Sequence, residues 1–160
     1  MTVEVRPGTL ADLPAIAGLQ AACFSEVWGP EFLGRLLAQP GAFSLVAVDL
    51  GAPAGFLVAR AVAGEAEILS LGVRQESRRQ GLGSGLICMA ATRAAAMGAS
   101  QICLEVAVEN QAARELYGGL GFSEVGSRPD YYQGAGGVRS DGLILKRALS
   151  ESMGSAQEVD

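Results

Sequence analysis

Residues 69–85 read LSLGVRQESRRQGLGSG, and the fold turns on how this stretch is read. An apolar strand ending near Val73 passes into a turn that carries Arg78, Arg79 and Gln80. Gly81, Gly83 and Gly85 then open a helix at about Leu82. Glycines at a strand-to-helix turn let backbone N–H groups converge on an anion, and the helix amino terminus adds partial positive charge. The two arginines add full charges, so pyrophosphate is the natural guest. Taken alone, the segment also reads as a glycine-rich turn with solvated arginines. Spacing excludes two nucleotide loops. A Walker loop needs Gly-Lys-Ser/Thr, but Ser84 follows Gly83 directly. A dinucleotide fingerprint needs G-x-G-x-x-G, and Gly85 arrives one residue too early.

Upstream, Ser44–Asp49, Ala54–Val62 and Glu65–Val73 are apolar runs separated by the turns Gly51-Ala52-Pro53 and Ala63-Gly64. This pattern predicts an antiparallel meander. Before it, Val3 and Val5 alternate with Glu4 and Arg6 in a short strand stopped by Pro7-Gly8. Thr9 and Asp12 then head a helix running toward Phe24, and Pro30 heads a second that ends near Ala38. Downstream come a helix over Leu82–Met97 capped by Gly98, a strand over Gln101–Ala107 and a helix over Gln111–Leu120. Strands follow from Phe122 and around Leu143–Leu145. The passage from Glu65 to Ala107 is a parallel crossover unit. The order predicts an α/β fold with one mixed, mostly antiparallel sheet and helices on both faces, in a single domain over residues 1–149. Residues 150–160 (SESMGSAQEVD) are polar, acidic and aperiodic, so disorder is expected there.

Composition narrows the function. The chain has 160 residues, 49% hydrophobic and 18% charged, which is neither disordered nor fibrous. Its net charge is −5, or −2 without Glu151, Glu158 and Asp160 of the tail, far from the basic excess of a nucleic-acid binder. It contains no histidine. That removes Ser-His-Asp and Cys-His catalysis and histidine zinc sites. Cys23, Cys88 and Cys103 form no C-x-x-C pair and read as small buried hydrophobes in a reducing compartment, without a metal. No apolar run is long enough to cross a bilayer, and no signal peptide is visible. A cytoplasmic protein with neither a membrane nor a nucleic-acid partner is expected.

Three blocks in fixed order carry a family resemblance. Arg78-Arg79-Gln80-Gly81-Leu82-Gly83 resembles the Q/R-x-x-G-x-G/A signature of the GCN5-related N-acetyltransferases. Leu69–Val73 (LSLGV) is similar to the strand before that loop. Leu104–Phe122 (LEVAVENQAARELYGGLGF) resembles the family's L-E-V…N-x-x-A…L-Y…G-F segment. The resemblance spans about Val3 to Leu149 and implies acetyl-CoA as co-substrate, with no metal. By it, Arg78, Arg79, Gln80, Gly81, Leu82, Gly83 and Ser84 hold the pyrophosphate. Leu71, Gly72 and Val73 meet the pantetheine arm and thioester, and Asn110 touches the cofactor while capping a helix. Within the family, Phe24…Trp28, Phe32, Arg128-Pro129-Asp130-Tyr131-Tyr132 and residues 139–145 (RSDGLIL) are similar to the ribosomal-protein-alanine N-acetyltransferases. Such enzymes acetylate a protein's amino-terminal alanine. Ala107-Val108-Glu109 departs from the Arg-x-Ser common in that group, which makes acetyl-CoA use a firmer implication than ribosomal-protein specificity.

Acetyl transfer to an amine needs a proton acceptor for the amine, a donor for the oxyanion and a proton for the departing thiolate. Glu105 lies on the strand face shared with Cys103 and Ala107, opposite Ile102, Leu104 and Val106. Its small apolar neighbours predict partial desolvation, though a solvated strand face fits the same pattern. The resemblance makes Glu105 the base. Tyr117 falls in the helical stripe Ala113, Leu116, Tyr117, Leu120, which equally describes a core tyrosine. The resemblance makes it the acid, and an unperturbed pKa near 10 keeps its hydroxyl protonated. A backbone N–H near Val73 is the expected oxyanion donor. Trp28, Tyr131 and Tyr132 are candidates for a substrate groove, or for core and rim. Two alternatives stay open: acetylation of a small amine, and a non-catalytic acyl-CoA sensor. Retention of both Glu105 and Tyr117 speaks against the sensor.

Overall fold

The computed structural model describes residues 3–133 and 139–149, with side chains over 4–129 and 141–149. The expected tail at 150–160 lies outside the described residues. Strand β1 (Val3–Pro7) leads through a 3₁₀ turn at Leu10–Asp12 into helices α1 (Leu13–Cys23) and α2 (Pro30–Leu37). Then come β2 (Ala42–Asp49), β3 (Ala52–Val62), β4 (Glu65–Val73), α3 (Leu82–Ala96), β5 (Gln101–Ala107), α4 (Gln111–Gly119), β6 (Ser123–Gln133) and β7 (Arg139–Ala148). The strands form one sheet in the order β1-β2-β3-β4-β5-β7-β6. Every neighbour is antiparallel except β4 and β5, which the α3 crossover makes parallel. The fold is the predicted one.

Two cores flank the sheet. On one face α3 lays Leu82, Leu86, Ile87, Ala90, Ala91 and Ala94 against inward residues of β2 to β5 and β7, with Leu116 and Tyr117 of α4 at the margin. On the other, Ile16 and Ala17 of α1 and Leu33 of α2 pack on Val46, Phe56 and Val58. Alternation does this work. In β5, Ile102, Leu104 and Val106 are buried while the residues between them are half-buried.

Several boundaries shift. The β2–β3 turn centres on Leu50-Gly51, and Pro53 belongs to β3 opposite Val48, beside a bulge where a missing N–H is tolerated. The last strand is longer than the apolar Leu143–Leu145 indicates, because polar ends pair as well as apolar middles. The expectation that all three cysteines are buried fails. Cys88 is exposed and Cys23 and Cys103 are half-buried. Cys88 sits with Thr92 and Ala96 on the outward face of α3, and an alanine-rich helix does not announce which face is outward.

Two irregularities position the site. β4 and β5 pair only over Glu65↔Gln101, Ala66↔Ile102 and Glu67↔Cys103. Just beyond, Leu69 is an extra residue in β4, since Val58 faces Ser70 while Ala59 faces Ile68. That bulge bends β4 where it parts from β5. A gap opens between Ile68–Val73 and Leu104–Ala107.

Candidate active site

One wall of the gap is backbone. Arg74 N–H donates to Ala54 C=O at 2.8 Å, so the bonded pairs of the β3–β4 ladder are Arg74, Gly72 and Ser70. Leu71 and Val73 therefore direct their N–H and C=O groups toward β5, where no described strand pairs with them. An amide-bearing arm can take the missing strand's place, and a Val73 N–H at the end of the row suits an oxyanion. Gly72 is required by packing. A Cβ there would lie 2.9 Å from the Phe56 ring and 3.0 Å from Cys23 Sγ.

The loop after β4 is anchored at Ser77, whose buried hydroxyl donates to Asp49 at 3.1 Å and accepts from Arg74 Nε at 2.7 Å. Arg79 (φ +66°) and Gly81 (φ +83°) are left-handed, and α3 starts at Leu82. The first helical bond shown at this end runs from Gly85 N–H to Gly81 C=O at 3.0 Å. The N–H groups of Leu82, Gly83 and Ser84 precede it and have no intrahelical acceptor. This cradle fits a pyrophosphate. At Gly83 a Cβ would stand 3.3 Å from Leu116 of α4, so the glycine also sets the α3–α4 approach. Arg78 turns back, its Nε donating to Val73 C=O at 2.8 Å, while Arg79 and Gln80 complete the loop.

Of the catalytic candidates, Glu105 lies on β5 where it parts from β4, and Tyr117 lies on α4. Glu105 projects from β5 to the α1–α2 face. Its side chain is only 15% exposed, as expected of a desolvated carboxylate. Oε1 accepts a 2.8 Å hydrogen bond from Arg128 Nη2, whereas Oε2 is buried with no partner among the described residues. Tyr117 sits on the opposite face, its ring tilted on Phe122 at 6.0 Å between centroids. Burial pushes its pKa up to about 12, which keeps the hydroxyl protonated. The two lie on opposite faces of the sheet, not on one surface. Asn110 caps α4, accepting from Ala113 N–H at 3.2 Å. Cys103, also on β5, is a poor nucleophile because burial, with Glu67 nearby, raises its thiol pKa. Among the described residues no cluster of three His, Cys, Asp or Glu side chains is placed to hold a metal ion.

On the Glu105 side, Trp28 packs against the α1–α2 core and edge-on to Phe32, 5.2 Å between centroids. Buried Gln20 staples its loop, accepting from Trp28 N–H at 2.7 Å and donating to Glu26 C=O at 2.8 Å. Tyr131 and Tyr132 have their backbones in β6, but their side chains lie outside the described residues. Sequence reading missed the Ser77–Asp49 anchor, which joins residues 28 apart and leaves no local signal. It placed Arg128 in a motif without giving it a partner.

A sheet splayed between two parallel strands, with a glycine loop at the head of the crossover helix, defines the class, and comparison with known proteins agrees. The model of the acetyltransferase (GNAT) family matches residues 13–122. The chain belongs to that family and is an acetyl-CoA-dependent N-acetyltransferase. Its relatives include the [ribosomal protein bS18]-alanine N-acetyltransferase of Escherichia coli K12, 34% identical over 87% of this chain and 93% of that protein. A putative enzyme of the same name from Bacillus subtilis is 31% identical over 92% and 96%. The crystal structure of the Escherichia coli ribosomal-protein-S18-alanine N-acetyltransferase superposes with a TM-score of 0.85 at 26% identity, covering 93% of this chain and 95% of that one. No helix among the described residues is long and apolar enough to cross a membrane.

Proposed function

We propose that the enzyme transfers the acetyl group of acetyl-CoA to the amino-terminal α-amine of a protein, with the alanine of a small-subunit ribosomal protein as the acceptor, in the cytoplasm. The single observation that carries the reading is the pair of candidates on opposite faces of one sheet, Glu105 on the α1–α2 face and Tyr117 on the α3–α4 face. The amine enters from the Glu105 side and gives up a proton to that carboxylate, directly or through a water. Its nitrogen then bonds to the thioester carbon, and the developing oxyanion is met by Val73 N–H. As the carbon–sulfur bond breaks, Tyr117 hands its proton to the thiolate on the other face. As the intermediate collapses, the nitrogen sheds its second proton to water. The amide and free CoA thiol result, Tyr117 recovers its proton from solvent, and Glu105 releases to solvent the one it took. An α-amine suits a carboxylate base, since its pKa is about 8 against about 10.4 for lysine. Trp28, Tyr131 and Tyr132 are assigned to the peptide groove.

The test is thiol release from acetyl-CoA against an alanine-initiated peptide, a proline-initiated peptide, a peptide with only internal lysines and a panel of small amines. Mass spectrometry then locates the acetyl group. Modification of the alanine α-amine is expected, with proline refused and lysine poor. Acetylation confined to small amines or lysine side chains removes the ribosomal assignment and leaves the family standing. Glu105→Gln is expected to lower turnover by about 10²–10⁴ with acetyl-CoA affinity retained.

A further inference from the structure

We propose that Arg128 is a positioning residue for the acceptor amine: it clamps Oε1 of Glu105 and leaves Oε2 as the one acceptor the incoming nitrogen must fill. The inference rests on the acetyl transfer proposed above and concerns how its base is held.

The register of three strands carries the argument. Glu105 of β5 pairs with Ile144 of β7, which pairs with Gly126 of β6. Two residues along, Ala107 pairs with Gly142, which pairs with Arg128. Opposed residues share a face, so Arg128 stands on the face of Glu105, one row away and two strands over. To reach the carboxylate its side chain must cross β7, and it does so past Gly142, which has no side chain in the way. Ala107 offers only a methyl at the far end of that row. The bulge between Glu124 and Gly126 matters as well, because the extra Val125 sets the alternation that turns Arg128 to this face.

The two carboxylate oxygens are thereby made unequal. Oε1 has its charge-assisted bond at 2.8 Å, and Oε2 is buried without a donor among the described residues. A buried acceptor left unsatisfied is costly, and an N–H arriving there recovers that cost. The arriving group is the substrate amine or the water that carries its proton. Arg128 is half-exposed, so it does not fill the site itself; it fixes the orientation in which the site stays open.

The experiment measures kcat and KM for acetyl-CoA and for an alanine-initiated peptide in Arg128→Ala and Arg128→Lys, each alone and combined with Glu105→Gln. Arg128→Ala is expected to lower kcat/KM for the peptide on the order of 10²-fold, the cost of a misplaced reacting group, with KM for acetyl-CoA unchanged. Arg128→Lys recovers most of that loss. In the Glu105→Gln background Arg128→Ala adds nothing to the loss in peptide kcat/KM, because the proposed effect on the amine runs through that carboxylate. Wild-type peptide kinetics in Arg128→Ala overturn the assignment, as does an equal loss in the Glu105→Gln background. So does a loss shared with acetyl-CoA affinity that lysine fails to rescue. A wild type that acetylates no amine overturns the functional reading and this one together, whereas an active wild type with additive losses overturns the Arg128 assignment alone.

Discussion

At the scale of single residues, two side chains have their protonation set by surroundings that can be checked by titration. Burial holds the Tyr117 phenol near 12, above its ordinary value of 10.0. A folded-state pKa that is raised means the contribution to stability is whole below pH 10 and is lost as pH rises through 12. The absorbance of tyrosinate is expected to show one late step that Tyr117→Phe removes. No limb of the pH–rate profile below pH 10 should belong to this group, and Tyr117→Phe should slow turnover while sparing acetyl-CoA binding. Asp12 is the opposite case. Hydrogen bonds from Arg6 at 2.9 and 3.0 Å hold its carboxyl at about 2, against the opposing pull of burial. Its contribution is whole above the ordinary carboxylate value and is lost as pH falls from about 4 toward 2. Urea titrations across that range should show Asp12→Asn less stable at neutral pH by about 2 kcal/mol, the difference vanishing in acid. The sequence marks Thr9 and Asp12 as a helix start, and Thr9 N–H does donate to Asp12 at 2.7 Å. It does not show that Arg6, on the strand before, shares the same carboxylate.

At the scale of elements, two glycines in one segment serve different needs. Gly81 has φ +83° and nothing within 4 Å of a Cβ, so Gly81→Ala should cost about 1 kcal/mol in backbone strain alone. Gly72 has an ordinary backbone and crowded surroundings, so Gly72→Ala should cost about 1–3 kcal/mol in displaced packing of α1 against β4. Chemical denaturation of the pair separates the two causes. Gly83→Val combines a blocked phosphate with pressure on Leu116. Calorimetry should show weaker acetyl-CoA binding, and turnover should fall further through the neighbouring Tyr117. The loop and its glycines were legible because the requirement is local, lying within nine residues. The β2–β3–β4 meander and the parallel crossover were legible for the same reason, from alternation and short turns, whereas the place of β7 between β5 and β6 was not. What was not legible depends on contact across the sheet: the Ser77–Asp49 anchor, the Arg128–Glu105 pair, and the outward face of α3 that exposes Cys88. In each case the partner, or the choice of face, is settled only once the strands have taken their order.

At the scale of the whole molecule, the gap is what would let one sheet serve the two proposed half-sites, with Glu105 as the proposed base on one face and Tyr117 as the proposed acid on the other. Backbone groups of Leu71 and Val73 that face it lack a described strand partner. Hydrogen exchange should therefore slow at those two residues and across 79–84 when acetyl-CoA binds, with a rise in melting temperature that follows ligand concentration. Exchange unchanged in β4 would mean the arm lies elsewhere. The bulge at Leu69 has a further consequence, which concerns loss of sequence. In an ordinary strand, deleting one residue turns the pleat over and inverts every side chain beyond it. Here it does not. With Leu69 gone, Ile68 and Ser70 become neighbours and keep the sides they have now, since they already oppose the adjacent residues Ala59 and Val58. Only the bend disappears, and a straightened β4 can go on pairing along β5. The deletion variant should melt cooperatively, weakened by about 1–3 kcal/mol for the missing leucine, and bind no acetyl-CoA. The sheet would have healed over its own cleft, so that one codon separates this enzyme from a folded protein with nothing to do.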